Sequence, residues 1–98
     1  MKALTLTDYI EKKQTTDVEF AEHYIREQTI NNIAEMIVAA RKKAHLTQSE
    51  LANKVGTKQS VISRIESGNS HFIPSLETLV RIAGALHMKL KLQLQAYR

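Results

Sequence analysis

Between residues 58 and 64 the chain reads Lys-Gln-Ser-Val-Ile-Ser-Arg. Lys58, Gln59, Ser60, Ser63 and Arg64 carry its polar chemistry, and no acidic side chain follows until Glu66. These groups suit hydrogen bonding to base edges. Arg pairs bidentately with guanine, Gln pairs with adenine, and Ser serves as donor or acceptor. A merely solvated helix face usually mixes in carboxylates, and this one does not. Covalent chemistry has no such cluster. His23, His45, His71 and His87 are scattered, without His, Cys or carboxylate partners at metal-ligand spacing. His23 and Glu27 are four residues apart, a spacing that arises by chance on many helices. No serine has a nucleophile-elbow context, and there is no Gly-rich phosphate loop. The expectation is a non-enzymatic protein with no cofactor and no metal.

Two short helices must present these residues. Leu51, Ala52 and Val55 share one helical face, and Val61, Ile62 and Ile65 share another. Gly56 lies between them and can reach the positive φ that redirects a chain sharply. Thr47 with Glu50 forms a capping-box pattern at the first start. Thr57 is the expected cap of the second helix, and Gly68 closes it. Caps and apolar spacing alone fit an ordinary helical hairpin equally well. The acid-free face favours a helix-turn-helix whose second helix enters a major groove.

The stretch LTQSELANKVGTKQSVISRIESGNS resembles the helix-turn-helix of the Cro-type (XRE) family, which includes the lambdoid phage repressors. The matching positions are Thr47-Gln48, Leu51-Ala52, Gly56, Ile62, Glu66 and Gly68, then Pro74-Ser75-Leu76 and Thr78-Leu79. They cover roughly residues 30 to 86. The resemblance implies base contacts from Gln59, Ser60 and Arg64, with Lys58 and Ser63 as further contacts. It implies a phosphate contact from Gln48 and backbone contacts from Thr57, Asn69 and Ser70. It also implies an internal ion pair between Arg41 and Glu66.

Charge is distributed to match. Residues 1–40 carry −3 and residues 41–98 carry +7, within a total of +4. A basic region around the helix-turn-helix is the electrostatic footprint of a DNA binder. The acidic leading segment suits a basic protein partner instead. At 98 residues the chain has room for one modest core. It has no cysteine, no long apolar run and no signal-peptide pattern, so a cytoplasmic protein is expected.

The flanking segments complete the reading. Residues 5–13 suggest a short helix, and Lys12 to Thr16 a polar loop. Val18, Phe20, Ala21, Tyr24 and Ile25 form an apolar stripe, followed by Ile30, Ile33, Ala34, Ile37, Ala40 and Ala44. No Pro or Gly interrupts residues 17–44, so one long helix and two helices kinked near Gln28–Asn32 both fit. A polar loop spans Asn69 to Ile73. Ser75 then caps a last helix whose expected buried face is Leu76, Leu79, Val80, Ala83 and Leu86, with Gly84 permitting close packing. From Met88 the sequence alternates, placing Leu90, Leu92, Leu94 and Ala96 with Met88 on one face. That is a strand pattern, expected to pair with the same strand of a second copy, continuation of the last helix being the alternative. Met88, Leu90, Leu92 and Leu94 are then the dimerisation residues. A dimer would set two reading helices about 34 Å apart on a palindromic operator.

The expected fold is mainly α: a lambda-repressor-like helix-turn-helix bundle with an N-terminal helical extension and one C-terminal β-strand. Its parts are residues 1–28, 29–87 and 88–98. This arrangement resembles HigA-type antitoxins, as do TLTDYIEKK near the start and Asp17-Val18-Glu19-Phe20. That resemblance implies a small basic partner, a RelE/HigB-like mRNA-cleaving ribonuclease toxin, and repression of the protein's own operon. Tyr9, Ile10, Phe20 and Tyr24 are the candidate toxin anchors, since aromatics are favoured at interface centres. Packing of Phe20 and Tyr24 onto the helix-turn-helix body is the simpler reading of the same residues. A free-standing XRE-family repressor and a protein-interaction domain that lost DNA binding are the alternatives. The acid-free face speaks against the second of these.

Overall fold

The computed structural model describes residues 18–69 and 71–96. They form four helices: α1 (Val18–Lys43), α2 (Gln48–Val55), α3 (Gln59–Glu66) and α4 (Leu76–Ala85). The short helix expected at 5–13, with Tyr9 and Ile10, lies outside the described residues, as does Ser70.

The apolar residues between 18 and 44 join into one helix of 26 residues. Its basic last turn, Arg41, Lys42 and Lys43, complements the negative end of the helix dipole. Ile30, Ala34 and Ile37 are buried at i, i+4 and i+7. Ala21 is buried too, whereas Phe20 and Tyr24 stay half exposed. Helix α3 packs on α1 and α2, and α4 packs on α2. The core where they meet holds Ile37, Leu51, Ala52, Val55, Ile62, Ile65, Leu79, Ile82 and Leu86. Leu51, Ile62 and Ile82 are its fully buried side chains.

Chain reversals follow local chemistry. Thr47 caps α2 by accepting from the Glu50 N–H at 3.0 Å, while the Glu50 carboxylate accepts the Thr47 N–H at 2.9 Å. Hydrogen bonding to the carboxylate from the Thr47 N–H, and then from the Thr47 side chain, holds the Glu50 carboxyl below its usual pKa. Gly56, at φ 82°, ends α2 in the left-handed region. Gly68 has φ 68°, and a Cβ there would stand 2.6 Å from Asn31 Oδ1 on α1. The positive φ favours glycine at 68, whereas the Asn31 side chain is exposed and can move aside for a Cβ. Helices α1 and α4 end without glycine. His45 (φ 59°) and His87 (φ 57°) take the left-handed position. The Leu46 and Met88 N–H groups close six-residue turns onto the Arg41 and Ala83 carbonyls at 3.2 and 2.8 Å.

Four expectations are corrected. Among the described residues there is no β-strand, and residues 88–96 lack the ladder that the alternation implied. Strand geometry needs a second backbone to bond, and among the described residues none pairs with this segment. The turn at His87 also stops α4 from running on. Leu90 alone of the alternating set packs against the core, while Leu92 and Leu94 are 69% and 101% exposed. Leu76 and Val80 are 56% and 52% exposed, because the core takes only the Leu79, Ile82 and Leu86 side of α4. Among the described residues a Cβ at Gly84 would meet nothing within 4 Å beyond its own helix, so no close packing there calls for glycine. Lys58, not Thr57, occupies the N-cap of α3, and no side chain caps that helix.

Candidate nucleic-acid interface

The N-terminal turn of α3 stands open. Lys58 enters it in an extended conformation (φ −85°, ψ 148°), and no acid lies in the first turn. Val61, Ile62 and Ile65 face inward, with Ile62 and Ile65 buried. That leaves Lys58, Gln59, Ser60, Ser63 and Arg64 exposed together. Helical period alone produces this split, because i, i+1 and i+4 claim one face and the rest point to solvent.

A chain of polar bonds locks α3 to the other helices. Arg41, in the last turn of α1, donates to both carboxylate oxygens of Glu66 at 2.7 and 2.9 Å. Its third arm donates to the Leu46 carbonyl at 2.8 Å. The fork geometry of guanidinium suits this bidentate pairing. Gln48, at the start of α2, donates to Glu66 Oε1 at 3.0 Å. Gln59 donates to Gln48 Oε1 at 3.5 Å. The side chains of Arg41 and Glu66 are mostly buried. Burial pushes the Glu66 carboxyl up, but hydrogen bonds from Arg41 and Gln48 and the charges of Arg41 and Lys42 outweigh it. Its pKa lies below the usual carboxylate value. The hydrogen bond to Glu66, against a smaller effect of burial, raises the pKa of Arg41. Glu66 therefore stays charged, and three helices meet on one carboxylate.

This network changes how several side chains read. Gln48 has its amide engaged inside the protein and holds Gln59, a base-reading candidate, on the exposed side. Asn69 accepts the His71 N–H at 2.8 Å through its Oδ1, and its carbonyl accepts the Phe72 N–H at 3.0 Å. It shapes the loop after α3. Thr57 is half buried, with its N–H bonded to the Ala52 carbonyl at 2.9 Å.

Sequence reading passed over three residues here. Lys42 is exposed beside the Arg41–Glu66 pair, where its charge reaches Glu66. Arg81, on α4, donates to the Val55 carbonyl at 3.0 Å and so bonds the open end of α2. Phe72 sits beneath the Arg64 guanidinium, 5.8 Å from Cζ to the ring centre. The basic end of α1 was a usable signal for Lys42. Nothing in local spacing marks the other two, whose partners lie 26 and 8 positions away.

Among the described residues, no group of three or more His, Asp or Glu could hold a metal ion. No helix there is long and apolar enough to cross a membrane.

A helix-turn-helix family, HTH_3, matches residues 37–92. The chain belongs to this helix-turn-helix family. The match spans the end of α1, the α2–α3 pair and α4, and the two short helices α2 and α3 form the helix-turn-helix. Among relatives, the chain is 31% identical over 90 residues to antitoxin HigA1 of Mycobacterium tuberculosis, covering 92% of this chain and 59% of that protein. It is 38% identical over 60 residues to multiprotein-bridging factor 1 of Candida albicans, covering 61% of this chain and 38% of the relative. It is also 38% identical over 55 residues to the ImmF control region 10 kDa protein of Bacillus phage phi105, at 56% and 59% coverage. The chain thus spans less than two thirds of each relative's length.

Proposed function

We propose that this helix-turn-helix protein is the antitoxin of a type II toxin–antitoxin system, acting in the cytoplasm. It neutralises a small basic, RelE/HigB-like mRNA-cleaving ribonuclease and represses its own operon. The observation that carries this is the extent of the likeness to antitoxin HigA1. Ninety of 98 residues align, so the likeness takes in most of the acidic segment ahead of the family match at 37–92. The likeness to the phage control-region protein is confined to 55 residues. That shorter likeness favours the second reading, a free-standing repressor.

The acidic segment also has a surface that fits a basic partner. Phe20 and Tyr24, four residues apart, share one side of α1 and are half exposed. Glu19, Glu22 and Glu27 lie on the same turns. Aromatic anchors among carboxylates fit a cationic protein surface. On the DNA side, Lys58, Gln59, Ser60, Ser63 and Arg64 contact bases while Lys42 meets phosphate. Two copies then occupy a palindromic operator, one half-site each.

The test is a titration of the protein onto the DNA upstream of its own gene, with and without the small basic protein encoded beside it. The antitoxin reading expects a stable complex with that protein and relief of its growth arrest on co-expression. A double change of Phe20 and Tyr24 to Ala should abolish relief and leave DNA binding intact. Operator binding with no captured neighbour would establish the free-standing repressor instead.

A further inference from the structure

We infer that Phe72 is a positioning residue for base recognition, its ring serving as a platform that aims the Arg64 guanidinium. The inference rests on the DNA-binding reading of α3. Arg64 is exposed, and among the described residues it has no carboxylate partner. Its guanidinium lies over the Phe72 ring, 5.8 Å from Cζ to the ring centre. A cation over an aromatic face at that distance is attracted by the ring quadrupole. Among the described residues no acceptor takes a guanidinium N–H of Arg64, so the donors a guanine edge requires stay available.

Phe72 is itself held from two sides. It is half buried and packs against the core beneath α3. Its N–H bonds the Asn69 carbonyl at 3.0 Å, and Asn69 Oδ1 accepts the next N–H back, that of His71, at 2.8 Å. Asn69 thus makes the turn that brings the ring under α3. Ser67 Oγ donates to the Arg64 carbonyl at 2.7 Å, which steadies the backbone above it. A long flexible side chain loses less rotamer freedom on binding when its free state is already confined. The ring and its turn supply that confinement without taking hydrogen-bond donors.

The experiment uses the full chain and two probes. One is a duplex enriched by the wild-type protein from a random-sequence library; the other is poly(dI–dC) as non-specific DNA. Affinities are measured for wild type, R64A, F72L, F72Y and R64A/F72L. Removing the ring should weaken binding to the enriched duplex about two- to fivefold and leave poly(dI–dC) binding unchanged. F72Y keeps a ring and should match wild type. In the R64A background, F72L should have no further effect, because the side chain it aims is gone. A purely packing role would instead lower Tm and weaken both probes alike, with additive effects of R64A and F72L, and that result overturns the inference. So does an F72L protein that discriminates the two probes as well as wild type. If F72L is unfolded at the assay temperature, F72M fills the site without a ring and is read the same way. A wild-type protein that enriches no duplex overturns the DNA-binding reading and this inference with it. Normal selection with a weakened R64A and an unaffected F72L overturns this inference alone.

Discussion

The α2–α3 pair and the segment from α4 through residue 96 carry similar apolar patterns, yet they behave differently. In α2 and α3, four of the six expected inward residues are fully or nearly fully excluded from solvent, Val55 is buried and Val61 is half buried. In α4 and the tail, Leu76, Val80, Leu92 and Leu94 are exposed, and only some of the pattern reaches the core. The difference lies in what surrounds each element. Helix α3 is covered by α1 and α2, and its polar groups are tied across by Arg41, Glu66 and Gln48. Helix α4 packs chiefly on α2 and offers one narrow side. Apolar spacing says which residues share a face; neighbouring elements say how wide the buried stripe is.

The sharpest way to break the contrast is to truncate one residue in each region. Ile62→Ala should cost about 3–4 kcal/mol in chemical denaturation, since a fully buried side chain leaves a cavity. Leu76→Ala should cost under about 0.5 kcal/mol, as expected of an exposed site. Equal losses would show that α4 is covered in solution by something beyond the described residues.

Next comes the carboxylate joining three helices. Glu66→Gln should destabilise by about 2–3 kcal/mol near neutral pH, because Arg41 loses its charged partner. The folded pKa of Glu66 lies below its unfolded value, so the charged carboxylate stabilises the fold above the unfolded pKa. That stabilisation is lost as pH falls through the folded value. Thermal melts should therefore show wild type losing Tm more steeply than Glu66→Gln below about pH 5. Parallel curves would remove the ion pair from the account. Glu50, whose carboxyl is also lowered, contributes in the same direction in both proteins.

Arg81→Ala tests the one polar tie that α4 does have to the α2–α3 turn. It should cost about 1–2 kcal/mol by leaving the Val55 carbonyl unbonded. The effect should appear as faster amide exchange around Gly56. The smallest expected change has the opposite sign. His45→Gly should stabilise by up to about 1 kcal/mol, since glycine takes positive φ without the Cβ penalty. A lowered Tm would mean that the imidazole makes a favourable contact.

Much of the interface was legible because it is local. The capping pair Thr47–Glu50, the left-handed Gly56, the buried Ile62 and Ile65 and the polar set at 58–64 all follow from spacings of a few residues. The Arg41–Glu66 pair, 25 positions apart, came from family resemblance alone. Phe72 beneath Arg64 and Arg81 on Val55 had no local signature. The alternation at 88–96 misled for the complementary reason: period two shows which side chains share a side of an extended chain, but a strand also needs a second backbone.

The amino-acid order by itself determined where α2 begins and ends, which faces of α2 and α3 turn inward and which stay free of acids. Those properties arise from dihedral preferences, caps and period, all short-range effects. Tertiary structure decided that residues 18–43 form one helix, that α4 buries only one side and that residues 88–96 form no strand. It also decided that Gln48 is tied to Glu66 and that Arg64 lies over a ring. Each of these depends on which distant groups meet, and burial and pairing free energies are set by that meeting rather than by neighbours along the chain.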